Sequence, residues 1–549
     1  MKLQSVLVSI AVMLFAAALF LPKPALPVGD AEWGLLRLCL LVDGGWLLAW
    51  AWLAKGGTSG LSARVVGVIE PRPPVSWRWL MALLGVGTVL RVIGLNQDFW
   101  IDEIATVVHY LRRPFWETFT VYGTANQHML YSALGSLSIS TFGESEWSAR
   151  LPAVILGVVC LAGLYALARL VMSEKQALFA TALLTFSYHH VWFSQNARGY
   201  SGMMAAVVWS TTFFLYALVY NRRRDWLAYT LTMTCGILML RNTAFVFASH
   251  GVLFGVLVLM YRKQVRKPLL LSAALSAFGT AALTLTGYSL TLPQIINWYA
   301  TEDRTGLGWT NVGEFLEVVI NGLQAGLNLL PPPITIMLLI VAGVILGVGL
   351  ITFWCESRLI TGLILFPPLF NVLALIVLRI GAYPRSFLYF LPLVVILIVR
   401  GTMVIGDWIS AQIPALNQRL GTALVILGIA ASAASVPLNY LRPKQDYTGA
   451  LRYVETNRSA GDIVAAVGLA VGSYRDYYAP DNMDFPETIA DLQALEASNQ
   501  PVWVLYTFPR DMRLRFSDLY DYVQNEYELV AVLPGTLSDG TLYVTRRLP

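Results

Sequence analysis

Long apolar stretches alternate with short polar connections along most of the chain. A helix needs roughly 20 apolar residues to cross a bilayer, and the pattern predicts about 13 such helices. Their expected positions are 5–21, 35–54, 79–95, 148–171, 176–192, 200–220, 226–240, 242–261, 268–292, 330–353, 357–378, 383–400 and 420–438. Two segments interrupt this pattern, a loop at 96–147 and a polar tail at 441–549.

The tail has a different periodicity, with short apolar runs separated by turn residues. Strands are expected at 462–468, 501–508, 527–534 and 541–547, and helices at 488–498 and 514–525. Strands that alternate with helices predict a small α/β domain.

The beginning of the chain contains two spans followed by a basic, Pro-rich linker, and it resembles an addition to a larger core. We therefore expect three parts: an N-terminal hairpin and linker at 1–76, a transmembrane core at 77–440, and the α/β domain at 441–549.

Composition supports the reading as a membrane protein. Of 549 residues, 56% are hydrophobic and only 13% are charged, with a mean hydropathy of +0.61. A soluble domain carries roughly 25% charged residues. The net charge of +5 does not suggest a nucleic-acid partner.

Lys and Arg are concentrated in the loops at 55–78, 222–224 and 262–267, whereas the alternate loops are longer and more acidic. The positive-inside rule then predicts a cytoplasmic N-terminus and an extracytoplasmic C-terminal domain. Residues 1–25 could instead be a signal peptide, but Pro22-Lys23-Pro24 stands where small residues would permit cleavage. An uncleaved anchor is favoured.

Two adjacent carboxylates, Asp102 and Glu103, directly follow a predicted span and two aromatic residues. On a helix they would point about 100° apart, so they would not act on one target as a side-by-side pair. Acids at the membrane boundary are candidates for a general base or a metal ligand. Solvated acids on an interfacial helix are the structural alternative.

The same predicted outer loop contains Asn126, Gln127 and His128 before a short apolar run that ends at Phe142. The run is too short for a full span, so we expect an interfacial helix. The three polar residues are candidates for binding a polar ligand, although a lone His is more often a satisfied structural residue.

A third polar cluster, Gln195, Arg198 and Tyr200, separates two spans on the same predicted side. The positive-inside rule does not explain an arginine there. It favours an anionic partner such as a phosphate or a carboxylate. A structural salt bridge is the alternative.

Three further arginines lie on this side: Arg150, Arg241 and Arg385. Arg150 is near the start of the span that follows the loop. Arg241 and Arg385, together with Arg198, could form a basic rim that suits an anionic lipid headgroup. Snorkelling of each arginine to the interface is the alternative.

These clusters together resemble the GT-C class of polytopic glycosyltransferases. The resemblance is strongest to glycosyltransferase family 39, the protein-mannosyltransferase-like group, and its bacterial aminoarabinose-transferase-like relatives. The Asp102-Glu103 pair is similar to that family's Asp-Glu motif, residues 126–131 to its His-Pro-Pro-Leu or Asn-His-x-Leu segment, and residues 195–200 to its Gln-Glu-Ala-Arg-x-Tyr motif. Asn196 departs from the family pattern, because it stands where the family has an acid.

Two more segments extend the resemblance over about residues 77–440. Residues 146–152 are similar to the family's Arg-hydrophobic-Pro segment, and residues 383–392 to its late Arg-Tyr-Leu-Leu-Pro element. The shared order and spacing of the motifs carry the resemblance.

The resemblance implies that a sugar passes from a polyprenyl-phosphate donor to an acceptor hydroxyl on a lipid, a glycan or a protein. Inversion at the anomeric carbon, on the extracytoplasmic side of a bacterial inner membrane, is expected. Asp102 would be the general base, and Glu103 would orient the acceptor or help to hold a divalent metal ion. His128 is a second possible metal ligand, and with Arg198 and Arg385 it would stabilise the leaving phosphate. The other expected substrate-binding residues are Asn126, Gln127, Arg150, Gln195, Tyr200 and Arg241.

Two other classes of protein remain open. A lipid-linked oligosaccharide ligase or polymerase would also need outer arginines and acids. A secondary transporter would place its ionisable groups near the middle of the membrane, where this sequence has few.

Overall fold

The structure is a computed structural model that describes residues 2–23, 28–53, 60–69, 77–124, 126–301, 313, 332–378, 384–413, 419–478, 483–537 and 539–549. Most of the predicted basic linker, at 54–59 and 70–76, lies outside these residues. The chain forms two units. The helical unit contains 1–92, 115–134 and 152–434, and the mixed unit contains 93–114, 135–151 and 435–549. The three-part division at 76 and 440 stays a prediction.

Helices account for most of the described chain. They are α1 (Lys2–Phe20), α2 (Asp30–Trp52), α3 (Ala63–Val66), α4 (Trp77–Val92), α5 (Ile101–Thr106), α6 (Met129–Phe142), α7 (Glu146–Val171), α8 (Glu174–Thr185), α9 (Tyr188–Ser194), α10 (Tyr200–Tyr220), α11 (Arg223–Met239), α12 (Thr243–Met260), α13 (Lys267–Tyr288), α14 (Leu292–Thr301), α15 (Pro332–Glu356), α16 (Arg358–Leu378), α17 (Leu391–Gln412), α18 (Leu420–Ser435), α19 (Tyr447–Asn457), α20 (Ala470–Ser473), α21 (Ile489–Glu496), α22 (Pro509–Arg515) and α23 (Ser517–Glu526).

Four strands and several tighter or wider turns complete the secondary structure. The strands are β1 (Ile463–Ala466), β2 (Val502–Thr507), β3 (Glu528–Leu533) and β4 (Leu542–Arg547). The 3₁₀ turns are Phe115–Phe119, Pro384–Phe390 and Val436–Asn439, and the π-helical turns are Val107–Leu111 and Tyr474–Tyr478.

Among the described residues, 10 helices are long and apolar enough to cross a membrane. The fold class of a polytopic helical membrane protein is thus confirmed. Three of the predicted spans, 79–95, 176–192 and 226–240, correspond to shorter helices. Helix α4 has 16 residues and α11 has 17, and the chain breaks between α8 and α9 where the Ser187 side chain caps α9.

The helical unit is built around one large apolar core. Helix α10 is its most buried span, because its small and apolar residues face neighbours on nearly every side. The N-terminal hairpin belongs to the same unit. Its Trp46 packs on α13 and donates a hydrogen bond from Nε1 to the Leu275 carbonyl oxygen at 2.7 Å.

Helices α15 and α17 approach each other through two glycines. A Cβ on Gly349 would collide with the Leu397 carbonyl oxygen, and a Cβ on Gly401 would collide with that of Ile345. Small residues allow helix backbones to approach this closely in membranes, where apolar burial contributes little to helix association.

The mixed unit contains a four-stranded sheet in the order β1-β2-β4-β3. Strand β1 is parallel to β2, whereas β4 is antiparallel to both β2 and β3. Alternate residues of β2, among them Val504 and Tyr506, pack in one apolar cluster with Leu519 and Val523 of α23. The prediction of a small α/β domain in the tail is confirmed.

Helix α5 places the Asp-Glu pair in this mixed unit. Trp100 is the N-cap residue before the helix, and its backbone N–H donates to Oε2 of Glu103 at 3.3 Å. Acids in a first helical turn are favoured because they satisfy free N–H groups and interact with the helix dipole. The α-helix then widens into the π-helical turn at Val107–Leu111.

The contact between α15 and α17 can be tested with Gly401→Ala. The added methyl group meets backbone rather than a movable side chain, so we expect a loss of about 1–3 kcal/mol in unfolding free energy. The measurement is thermal unfolding in detergent. Gly428→Ala in α18 is the control, since nothing lies within 4 Å of its Cβ position. Equal stability of the two variants would contradict the close approach.

Candidate active site

Glu103 is fully buried in the mixed unit, and two cations surround its carboxylate. Arg150 binds it in a bidentate manner, with Nε donating to Oε1 and Nη2 donating to Oε2, both at 2.8 Å. Nζ of Lys444 donates to Oε2 at 3.1 Å. A buried carboxylate that lost these partners would be strongly destabilising. Glu103, Arg150 and Lys444 are called the ion triad below.

Arg150 has no N–H group left over for another partner. Besides Glu103, its guanidinium donates to the carbonyl oxygens of Leu95 at 2.7 Å, Gln97 at 2.6 Å and Asp98 at 3.0 Å. These bonds use all five donors of an arginine. The guanidinium also lies 4.8 Å from the centre of the Phe99 ring. This geometry fits a structural clamp on the loop better than the predicted substrate contact.

The C-terminal part of the unit holds the same loop through further hydrogen bonds. Asp98 accepts from the Thr448 backbone N–H at 2.7 Å and from its hydroxyl at 2.9 Å. The Phe99 N–H donates to the Tyr478 hydroxyl at 2.7 Å, and the Ile101 N–H donates to Gln445 Oε1 at 2.8 Å. Burial raises the pKa of Asp98, which the Thr448 bonds partly offset.

Asp102 differs from its neighbour in exposure. It lies in the first turn of α5, where its side chain is only partly buried while that of Glu103 is fully buried. The expected angle of about 100° between successive side chains accounts for the difference. The pair therefore divides into one acid inside the ion triad and one that is only partly buried.

The helical unit contains a cluster of basic and polar side chains around Arg198. Arg198 is buried, and its Nη1 donates to Oδ1 of Asn126. Its Nη2 lies 3.2 Å from Nε2 of His128. The Tyr200 ring contacts Arg198 and His128. Its centre lies 5.6 Å from the guanidinium carbon and 5.3 Å from the imidazole centre. These four residues are called the basic cluster below.

The protonation of His128 follows from its surroundings. Its Nδ1 accepts a hydrogen bond from the Gly199 backbone N–H at 2.9 Å. Burial, and then the charges of Arg198, Arg241 and Arg385, hold the pKa of His128 well below its usual range. The neutral ring then carries its proton on Nε2. Nε2 of His128 and Nη2 of Arg198 are both donors, so they suit one shared acceptor.

Arg241 lies near the same histidine and is held by aromatic residues. Its Nη1 donates to the Tyr122 hydroxyl at 3.2 Å, and the guanidinium lies 5.7 Å from that ring and 5.9 Å from the Tyr299 ring. Arg385 lies at the start of the 3₁₀ turn Pro384–Phe390, whose Ser386 carbonyl oxygen accepts from Asn242 at 3.1 Å. The helical unit thus brings Arg198, Arg241 and Arg385 near His128.

The two glutamines of the predicted site hold backbone instead. Nε2 of Gln127 donates to the carbonyl oxygens of Thr118 at 3.1 Å and Val121 at 3.0 Å. Nε2 of Gln195 donates to the Arg91 carbonyl oxygen at 3.2 Å. These contacts fit a role in positioning the segments that carry His128 and Arg198.

Sequence reasoning missed Lys444, Thr448 and Tyr478. They lie far along the chain from the loop that they hold, and no local motif marks them. The available signal was the change from apolar to polar composition near residue 441, which marks the start of the tail.

The expected metal ligands do not fit a divalent ion. Both Glu103 oxygens already accept from cations, and the two His128 nitrogens are occupied by a backbone donor and a proton. Among the described residues, no three His, Cys, Asp or Glu side chains gather into a group that could hold a metal ion.

Comparisons with known proteins bear on this site through one segment. Residues 127–285 match the model of the family described as dolichyl-phosphate-mannose-protein mannosyltransferase. The matched segment contains His128, Gln195, Arg198, Tyr200 and Arg241. No curated protein matches the chain.

Three solved structures are similar to the chain at 14% identity. ArnT from Cupriavidus metallidurans has a TM-score of 0.49 and covers 86% of this chain and 98% of its own. The oligosaccharyltransferase of Archaeoglobus fulgidus, in complex with Zn and sulfate, has a TM-score of 0.47. The match covers 83% of this chain and 71% of that one. The arabinosyltransferase EmbB from Mycobacterium smegmatis has a TM-score of 0.43. The match covers 91% of this chain and 49% of that one.

The match contains residues 195–200 and most of residues 126–131, two of the segments on which the expected resemblance was based. It confirms the resemblance for this segment, which is similar to that mannosyltransferase family.

Proposed function

We propose that this protein transfers a sugar from a polyprenyl-phosphate donor to an acceptor hydroxyl, with Asp102 as the general base. The observation that carries the proposal is the basic cluster. A buried arginine and a neutral histidine present N–H donors to one shared acceptor, which suits a phosphate oxygen. Three of its four residues, His128, Arg198 and Tyr200, lie in the segment that matches the family described as dolichyl-phosphate-mannose-protein mannosyltransferase.

In the proposed reaction, the acceptor oxygen attacks the anomeric carbon from the face opposite the phosphate. The hydroxyl proton passes to the Asp102 carboxylate as the new carbon–oxygen bond forms. The bond between the anomeric carbon and the phosphate oxygen breaks, and its electron pair leaves on the lipid phosphate. Arg198 and His128 stabilise that charge, and the anomeric carbon is inverted.

The ion triad supports Asp102 rather than Glu103 as the base. The Glu103 carboxylate accepts four hydrogen bonds, three of them from cations. Such bonds stabilise the ionised form and oppose proton uptake. Asp102 is adjacent, partly exposed and outside this arrangement. Glu103 is thus a positioning residue that fixes the helix on which Asp102 lies.

The most direct test of the function is a deletion strain analysed by mass spectrometry of lipid-linked sugars and glycoconjugates. We expect one polyprenyl-phosphate sugar to accumulate and one glycoconjugate to lose that sugar. Restoration by the wild-type chain assigns both changes to this protein. An unchanged profile of lipid-linked sugars would contradict the proposal.

Asp102→Asn should abolish restoration in that strain while expression and thermal unfolding stay at the wild-type level. Loss of a general base typically lowers the rate about 10²–10⁴-fold. Asp521→Asn, an exposed acid on α23, is the matched control and should restore fully. Restoration by Asp102→Asn would remove Asp102 as the base.

Arg198→Lys keeps the positive charge but loses the planar fork that reaches Asn126 and His128. We expect affinity for undecaprenyl phosphate to fall about 10- to 100-fold, since a hydrogen bond to a charged group contributes about 1.5–3 kcal/mol. Binding to the purified chain is measured by native mass spectrometry. The exposed Arg262→Lys should bind as the wild type does. Equal affinity in the Arg198 variant would leave that residue a structural role.

Lys444 makes the stability of the mixed unit depend on pH. Burial, only partly offset by Glu103, lowers the pKa of Lys444 from 10.5 to about 7. Between these values the unfolded chain holds a proton that the folded chain has lost. Stability should therefore rise with pH across this window and lose that gain as pH falls towards 7.

Lys444→Met removes the titrating group but keeps an unbranched side chain. The unfolding temperature of the wild type, relative to that of this variant, should increase from pH 7 to pH 10. The measurement is scanning calorimetry in detergent. Lys263→Met, in an exposed loop, should show a constant difference. Parallel curves for Lys444→Met would contradict the predicted protonation change.

A further inference from the structure

The C-terminal part of the mixed unit contains a cleft that the proposed reaction does not use. Its volume is about 500 Å³, within the range of small-ligand sites. The cleft lies where α22 and α23 meet the strands β2, β3 and β4. None of its lining residues belongs to the ion triad.

Aromatic rings form one wall of this cleft. Tyr506 of β2 and Tyr543 of β4 are paired in register, so their side chains share one face of the sheet. Their ring centres lie 4.9 Å apart with an angle of 9° between planes. Tyr520 meets Tyr506 edge-on at 6.1 Å. Tyr506 and Tyr520 are 3% and 7% exposed, so they hold the more exposed Tyr543 ring, which provides the aromatic surface of the wall.

Charged and polar side chains form the opposite rim. Arg510 and Arg513 project from α22, which follows β2 through Phe508 at a φ of 52°, a conformation rare for a bulky residue. The Arg513 guanidinium carbon lies 5.2 Å from the Tyr520 ring centre. Gln524 donates to the Tyr506 hydroxyl at 2.8 Å, and Asp539 closes the rim.

We propose that this cleft binds an acidic saccharide, with a sugar ring stacked on Tyr543 of the tyrosine wall and its anionic group bound by Arg510 and Arg513. The weakly polar C–H face of a pyranose matches a flat aromatic surface, while its hydroxyls match Gln524 and Asp539. Two exposed arginines against one aspartate give the cleft a net positive charge, which selects an anion. Arginine forks suit carboxylate and phosphate groups geometrically.

A neutral sugar alone would not need the two arginines, and a simple inorganic anion would not need the tyrosines. Leu514 and Leu529, which are 75% and 51% exposed, extend the apolar surface at the cleft edge. The site is assigned from binding chemistry alone, so it goes beyond the proposed function and does not depend on sugar transfer.

The test is binding of the full-length chain in nanodiscs to a printed panel of neutral, uronic-acid, sialylated and phosphorylated oligosaccharides. We expect retention on acidic members and little on neutral ones. The double variant Arg510→Gln with Arg513→Gln should lower retention about tenfold or more, and Tyr543→Leu should also lower it. Excess inorganic phosphate should not displace the bound glycan.

Arg546→Gln is the matched control. Arg546 is on the same strand as Tyr543 but points to the other face, where its guanidinium lies 5.3 Å from the Trp503 ring centre. It should bind as the wild type does. The proposal is overturned if no acidic glycan is retained, if neutral glycans bind equally, or if the double variant and the wild type agree. Displacement by phosphate alone would show a plain anion site and would also overturn it.

Discussion

The position of the candidate base depends on one buried carboxylate. Glu103 has no access to water, and its charge is stabilised by the bidentate Arg150 pair and by hydrogen bonds from Lys444 Nζ and a backbone N–H. Arg150 in turn binds three carbonyl oxygens of the preceding loop. A single ion triad therefore joins the loop, the start of α7 and the C-terminal segment, and it fixes the helix turn on which Asp102 lies.

The two acids of the motif illustrate how adjacent residues take different roles. Successive side chains on a helix point about 100° apart, so Glu103 is buried while Asp102 is only partly buried. Both oxygens of the buried acid accept hydrogen bonds from Arg150 and Lys444, whereas the partly buried acid lies outside the ion triad and is the proposed base. In the basic cluster, the Gly199 N–H donates to Nδ1 of His128. The proton of the neutral ring therefore lies on Nε2, which becomes a hydrogen-bond donor.

The mixed unit contains polar and aromatic side chains that take no part in the ion triad. Its sheet buries alternate residues against α21–α23 and still leaves a tyrosine wall and two arginines facing a cleft. Within this one unit, segments from the first loop and the tail share hydrogen bonds, and the tail also carries a surface suited to saccharides. The proposed positioning of Asp102 and the proposed glycan site therefore depend on different residues of the same unit.

The sequence by itself determined the membrane class, the α/β tail, and the motif residues Asp102, His128 and Arg198. Those features follow from local periodicity and from residue types at fixed spacing, which the chain carries whatever its tertiary fold. One predicted span, 176–192, became two short helices because apolar length alone does not register a cap such as Ser187. Only the tertiary structure decided that Arg150 is a clamp, that Lys444 completes the ion triad from 341 residues away, and that the glutamines hold backbone. Hydrogen-bond partners far apart in sequence leave no local pattern, so their roles emerge only when the chain is folded.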